Sequence, residues 1–381
     1  MKGANNCAYV TSFDKGRGHF GDYSCAYKPV LSCLFDEVIE VNVSDVFKGE
    51  KATDLVERHS SINGGVAVIH VEFVRFHVDA FRVAKLLQAR YPQAKMVATV
   101  HDPPAPFINM LYAYVPIGVL RSMRFFRIID CSIIGNFLAK KIINSLDGVV
   151  FLSDAGLKSM LASCPISGIK TSIPHPLLCN AAGEFPAVNM QPSLTICLVG
   201  GWWHHKGVVL FIDALKLWAA ANEGREMTIH ISGTSVSDAY RREIEQRFDS
   251  LPKSLRVILH GFQEFHEIQD IANQSDAWII PYLKTDKVAC SGIMNLAIAL
   301  NSSVICSDLP QFTEIIEDGV NGYTFETGCP KALASVFDKL SDKGKLRSMR
   351  KSLWEGYRQS LKPENVAKLL ADSGVYGNLA T

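Results

Sequence analysis

At 381 residues the chain exceeds what one ordinary core holds and suits two domains of about 150–200 residues each. Hydrophobic residues make up 48%, charged residues 20%, and the formal net charge is +1, which argues against a disordered chain and against a nucleic-acid binder. No run reaches the roughly 18 apolar residues a membrane span needs, and MKGANNC lacks the basic-then-apolar pattern of a signal peptide.

The first half alternates short β-branched runs with helical patterns: AYVTSF (8–13), EVIEVNV (37–43), VAVIHVEF (66–73), KMVATVHD (95–102), GVVFLS (148–153) and IKTSIPHP (169–176). That alternation predicts a parallel sheet with helices on both faces. After the first run, Gly16-x-Gly18-x-x-Gly21 precedes a helix, and Glu40 stands about twenty residues on, the spacing of a dinucleotide fold. Arg17, His19 and Phe20 would crowd a pyrophosphate there, so Gly18 and His19 are read instead as facing an acceptor. The stretch 107–143 is aromatic, apolar and basic, with Arg121, Arg124, Arg127, Lys140 and Lys141 against the single acid Asp130. It fits an anionic membrane surface as well as it fits core helices with basic faces.

A polar stretch, CNAAGEFPAVNMQPS (179–193), breaks the pattern and reads as an interdomain linker. The pattern then resumes with LTICLVGG (194–201), EMTIHISG (226–233), LRVILHGF (255–262), AWIIPY (277–282), NSSVICSD (301–308) and GYTFE (322–326). This is a second doubly wound α/β domain. Its strands end in Gly, Pro or Asp, where open sheets present ligands, which marks Gly233 and Tyr282 as donor-side candidates. From Pro330 the chain is helical and amphipathic, and Pro363 should open the last helix. The domains are therefore set at 1–180, 181–360 and a terminal helix at 361–381. The ten cysteines form no C-x-x-C pair and several lie in strand-like runs, so they are expected as reduced core thiols of a cytoplasmic protein.

Two turns look built for a diphosphate. Gly200-Gly201-Trp202-Trp203-His204-His205-Lys206-Gly207 follows a strand and opens a helix, so Lys206 can meet a phosphate that backbone N–H groups also hold. Taken alone, Lys206 reads equally well as a solvated lysine at a helix start. Trp202 and Trp203 could wall a sugar or stack on the opposite domain, and adjacent His204 and His205 make a poor metal pair. Ser291-Gly292 begins a second helix, and the N–H groups of Ser291, Gly292 and Ile293 could seat the diphosphate. Glu314 follows, at the first turn of a short helix, either as acceptor for two ribose hydroxyls or as a dipole-satisfying carboxylate.

Jointly these residues resemble the retaining glycosyltransferases of family 4 on the GT-B fold. The matching motifs are GG-x4-KG at 200–207, SG-x4-A at 291–297, VICSD at 304–308, FTE at 312–314 and DG-x-NG at 318–322. Val100-His101-Asp102-Pro103, Leu146-Asp147-Gly148-Val149-Val150-Phe151-Leu152-Ser153 and Ile173-Pro174-His175-Pro176 add to them from the first half.

The resemblance implies two Rossmann-like domains facing a cleft, with the terminal helix crossing back to the first. It implies a UDP- or GDP-linked sugar on the second domain and a glycan or lipid-linked acceptor on the first. Lys206 would contact the diphosphate, the 291–293 turn would cradle it, Glu314 would bind ribose and His101 would sit near the transferred sugar. No metal or cofactor is implied, and the setting would be polysaccharide or glycoconjugate synthesis at the inner face of a membrane. Two departures stand out: Gly201 replaces an arginine, and Val288 and Leu296 lie where the family's spaced glutamates fall.

A retaining reaction can pass the acceptor proton to the departing phosphate oxygen; an inverting one would need a base, for which Asp102 is the candidate. The competing readings are an NAD-dependent oxidoreductase using the 16–21 loop and a GT-B protein that binds sugar nucleotides without catalysis.

Overall fold

The computed structural model describes residues 5–11, 19–43, 45, 54, 65–73, 79–104, 140–178, 193–235 and 237–377. The chain forms two compact units: Met1–Leu178 with Asp286–Cys290 and Leu361–Thr381, and Cys179–Thr285 with Ser291–Ser360. The division differs from the sequence boundaries in giving Asp286–Cys290 to the first unit, where Val288 N–H donates to the Pro103 carbonyl at 2.8 Å.

The first unit is a six-stranded parallel sheet in the order β2-β1-β3-β4-β5-β6. Its strands are β1 (Asn6–Thr11), β2 (Glu37–Asn42), β3 (Val68–Phe73), β4 (Lys95–Val100), β5 (Gly148–Phe151) and β6 (Ile169–Ser172). Side chains alternate between the faces. Val10, Val71, Ala98 and Phe151 join a core completed by α2 (Asp79–Arg90) and α3 (Asp154–Ser163), which follow α1 (His19–Ser32) in the chain. Cys7, Tyr9, Val68, Val97 and Val150 point the other way, against Tyr23, Tyr27 and Leu31 of α1 and Val366 and Leu370 of the C-terminal helix Pro363–Asp372. Pro363 opens that helix in its first turn, where a missing N–H removes no hydrogen bond.

The second unit repeats the plan with β7 (Leu194–Val199), β8 (Met227–Ser232), β9 (Leu255–Gly261), β10 (Ala277–Ile280), β11 (Val304–Ser307) and β12 (Tyr323–Phe325). These too are all parallel, in the order β12-β11-β10-β7-β8-β9. Its helices are α4 (Val208–Ala221), α5 (Asp238–Asp249), α6 (Phe265–Gln274), α7 (Gly292–Ala299), α8 (Pro310–Thr313), α9 (Pro330–Lys339) and α10 (Lys343–Gly356). Phe211 and Phe337 meet edge to face at 6.2 Å to join α4 and α9 over the sheet.

The strand orders locate the ligand positions. In a doubly wound sheet the crevice opens at the carboxyl ends of the two strands from which the chain winds in opposite directions. These are β1 and β3 in the first unit and β7 and β10 in the second. The strand ends at the second crevice are Val199 and Ile280, the first leading into Gly200 and the second, through Pro281, into Tyr282.

Candidate functional site

The glycines at the second crevice let backbone approach backbone. Gly200 and Gly233 both have φ of 123°, and a Cβ on Gly233 would run into the Gly200 carbonyl. Gly200 N–H donates to the Ser232 carbonyl at 2.9 Å, and Trp202 N–H to Thr234 at 2.9 Å. The chain then makes a 3-10 turn, His204–Lys206, closed by Gly207 in the left-handed region at φ 70°. Lys206 therefore ends this turn just before α4.

Tyr282 ties the two predicted turns together. Lys206 Nζ stands 3.8 Å from the centroid of its ring, and Ser291 Oγ donates to its hydroxyl at 3.1 Å. Ser307 Oγ donates to its carbonyl at 2.6 Å, and Phe312 meets the ring edge-on at 5.4 Å. Ser291 also caps α7, its Oγ accepting from Met294 N–H at 3.3 Å. That leaves the first N–H groups of α7, from Gly292 and Ile293, at a helix N-terminus beside Lys206, an arrangement suited to an anion.

Two details differ from the sequence reading. Glu314 is exposed and stands at the C-terminal cap of α8, not in its first turn. A helix C-terminus offers a carboxylate no dipole stabilisation, so the dipole reading is withdrawn. Trp202 is buried at 3% and belongs to the core beside Phe248, leaving Trp203, 48% exposed, as the tryptophan able to face a ligand. The His204 ring lies tilted 43° to that of Tyr240 at 4.3 Å, and no metal-holding cluster of His, Cys, Asp and Glu occurs among the described residues.

The first unit holds a buried polar group of which the sequence reading singled out His101 but not Glu72, His70, Thr99 or Tyr376. His101 Nε2 lies 2.7 Å from Oε2 of Glu72, whose side chain is fully buried. His70 Nε2 lies 3.3 Å from Glu72 Oε1 and 2.9 Å from Thr99 Oγ1, while its Nδ1 is 2.8 Å from the Tyr376 hydroxyl. Burial alone would raise the Glu72 carboxyl, but hydrogen bonds and charge from His101 and His70 bring it below its ordinary value. Tyr23 meets His101 and His175 edge-on, at 4.5 and 4.7 Å. Asp102, the candidate base, faces Lys287 Nζ at 3.9 Å. The signal for this group was present: His70 and Glu72, and Thr99 and His101, are polar residues two apart in otherwise apolar buried strands, hence on one face.

Gly16 and Gly18 lie outside the described residues. His19 is the first residue of α1 and Gly21 falls within that helix, while Glu40 pairs with Lys28 at 3.5 Å. The membrane-surface reading rests almost wholly on residues outside those described. Among the described residues, no helix is long and apolar enough to cross a membrane. Cys7, Cys164, Cys197 and Cys306 are buried thiols as expected, but Cys25 and Cys33 are exposed.

Known structures share this architecture. Sucrose-phosphate synthase from Thermosynechococcus elongatus is similar over 97% of this chain and 98% of its own, with TM-score 0.66 and 14% identity. The Anabaena protein HepE, in complex with UDP and glucose, is similar over 97% and 98%, with TM-score 0.65 and 14% identity. A glycosyltransferase from Rickettsia africae is similar over 99% and 100%, with TM-score 0.65 and 13% identity. No curated protein matches the chain by sequence. The two parallel α/β units make this a GT-B protein. Residues 193–343 match the family model of the glycosyl transferases group 1, which covers the whole Lys206, Tyr282 and Ser291 site. That segment is a group 1 glycosyltransferase domain, and the chain is a glycosyltransferase.

Proposed function

We propose that this glycosyltransferase belongs to family 4 and moves a sugar from a UDP- or GDP-linked donor to a hydroxyl of a glycan or lipid-linked acceptor, with retention. The observation that carries the reading is the meeting of Lys206, Ser291 and the α7 N-terminus on Tyr282. A nucleoside diphosphate presents its charge to that arrangement, and HepE's complex with UDP and glucose supports a uridine donor. Glu314 serves the ribose hydroxyls, and the first unit, with His101, serves the acceptor.

In the transfer, the bond from the anomeric carbon to the β-phosphate oxygen breaks and a bond to the acceptor oxygen forms. The acceptor proton passes to the departing phosphate oxygen. Lys206 and the α7 N–H groups stabilise the charge that develops there, so the mechanism requires no metal. Synthesis of a polysaccharide or glycoconjugate, with the enzyme resting on a membrane, is the setting the motifs favour.

The test is titration with a panel of UDP-, GDP- and other nucleotide-sugars, followed by NMR of the product's anomeric configuration. A β product from an α donor would overturn retention. The Glu72–His101 contact favours His101 over Asp102 as base in that case. Absence of turnover across donors and acceptors would favour a non-catalytic binding protein.

A further inference from the structure

The buried polar group of the first unit is too costly to be ordinary packing. A carboxylate out of water is destabilising unless it is paired and hydrogen-bonded, and apolar residues of similar size would fill the space more stably. Glu72 and its histidines nevertheless occupy the sheet face covered by α1 and the C-terminal helix. The register explains their meeting. Glu72 on β3 pairs with Thr99 on β4, so His101, two residues further on the same face, arrives beside the carboxylate.

We propose that Glu72 is a positioning residue that holds His101 in a single tautomer, and that Tyr376, near the end of the chain, steadies the same group through His70. The proton logic follows from the partners. An ionised carboxylate only accepts, so the proton of His101 sits on Nε2, facing Glu72 Oε2 at 2.7 Å, and the lone pair sits on Nδ1. His70 likewise turns Nε2–H toward Glu72 and Thr99, leaving Nδ1 to accept the Tyr376 hydroxyl proton at 2.8 Å. The polar contacts thus run from Tyr376 through His70 to Glu72, by a 3.3 Å approach, and from Glu72 to His101. They give the C-terminal segment a reason to lie within the first unit beyond apolar cover. Fixing the tautomer of His101 fixes the hydrogen-bonding character of its imidazole.

This inference rests on the proposed role of His101 for its consequence in turnover, but not for the tautomer itself. The experiment is a two-bond ¹H–¹⁵N correlation spectrum of the full-length protein labelled with ¹⁵N-histidine, at a pH where the ring is neutral, with His101→Ala assigning the signal. The expected result is the Nε2–H pattern for His101; an Nδ1–H or averaged pattern in the wild-type protein overturns the proposal and requires no further variant.

Glu72→Gln should mix the tautomers and lower kcat with UDP-glucose by about 10–100-fold while UDP affinity stays unchanged, the loss typical when a group orienting a functional imidazole is removed. Tyr376→Phe should disturb the His70 pattern first. If His101→Ala turns over at the wild-type rate, the role of His101 falls while the tautomer result stands. If His101→Ala is impaired but folded Glu72→Gln keeps both full rate and the Nε2–H pattern, Glu72 does not position it.

Discussion

Lowering the pH should destabilise the first unit through His175. This side chain is 7% exposed, its Nδ1 lies 2.6 Å from the Pro176 carbonyl and Tyr23 stands edge-on to its ring. Its pKa is pushed down to about 4, chiefly by desolvation. The hydrogen bond to Pro176 opposes that shift, the charge of His101 adds to it and that of Glu72 opposes it. In the unfolded chain the same group titrates near its ordinary value of about 6.5. Between those values the unfolded chain holds a proton that the folded one lacks, so stability falls as pH falls and is fully present above about 6.5. At about 1.4 kcal/mol per pH unit, the loss between pH 7 and 5 is about 2 kcal/mol, rising to about 3 kcal/mol at pH 4.

Urea unfolding followed by circular dichroism at several pH values, for wild type and His175→Gln, isolates this term. The other histidines cancel in the difference between the two proteins. Glu72 does not intrude on the comparison above pH 5: its lowered carboxyl contributes stability that is fully present above the ordinary glutamate value of about 4.3 and is lost as pH falls below it toward the folded value. The variant should lose about 2 kcal/mol less than the wild type between pH 7 and 5. Parallel stability curves would refute the buried neutral imidazole.

Lys206→Ala should weaken UDP binding by about 10–100-fold, the worth of a charge-assisted hydrogen bond, measured by calorimetry; unchanged affinity means the turn does not meet the diphosphate. Glu314→Gln should cost UDP about tenfold in affinity while leaving inorganic pyrophosphate binding unchanged, since only the ribose contact is lost. Gly233→Ala should destabilise the second unit by about 1–3 kcal/mol or more, because φ of 123° and the Gly200 carbonyl both resist a Cβ. Tryptophan emission in urea checks this, as Trp202, Trp203, Trp218, Trp278 and Trp354 all belong to that unit.

The strands of both units were legible because a parallel sheet buried on both faces demands continuous β-branched runs, as in LTICLV and VICS. Their ends were less so. IKTSIPHP reads as one extended run, yet the strand closes at Ser172, since Pro174 and Pro176 supply no N–H to a ladder. Glu314 reads as lying on the first turn of a short helix after Ser307-Asp308, but α8 ends at Thr313 after a single turn and leaves Glu314 at its close. Helix length this short has no periodicity to read.

The donor-side turns announced themselves through glycine, a local signal, whereas the joining role of Tyr282 did not. Tyr282 reads from sequence only as a donor-side candidate at a strand end; that Lys206, Ser291 and Ser307 meet on it follows from the order of β7 and β10. The same holds more strongly in the first unit. His-x-Glu in β3 and Thr-x-His across the end of β4 each break an apolar strand at alternate positions, and each alone reads as a buried polar residue awaiting a partner. Only the register, with Glu72 opposite Thr99, shows that they are one another's partners. Polar alternation inside a buried strand is therefore a stronger pointer to a built group than any one histidine, because each unpaired member would be destabilising and the fold has to satisfy them together.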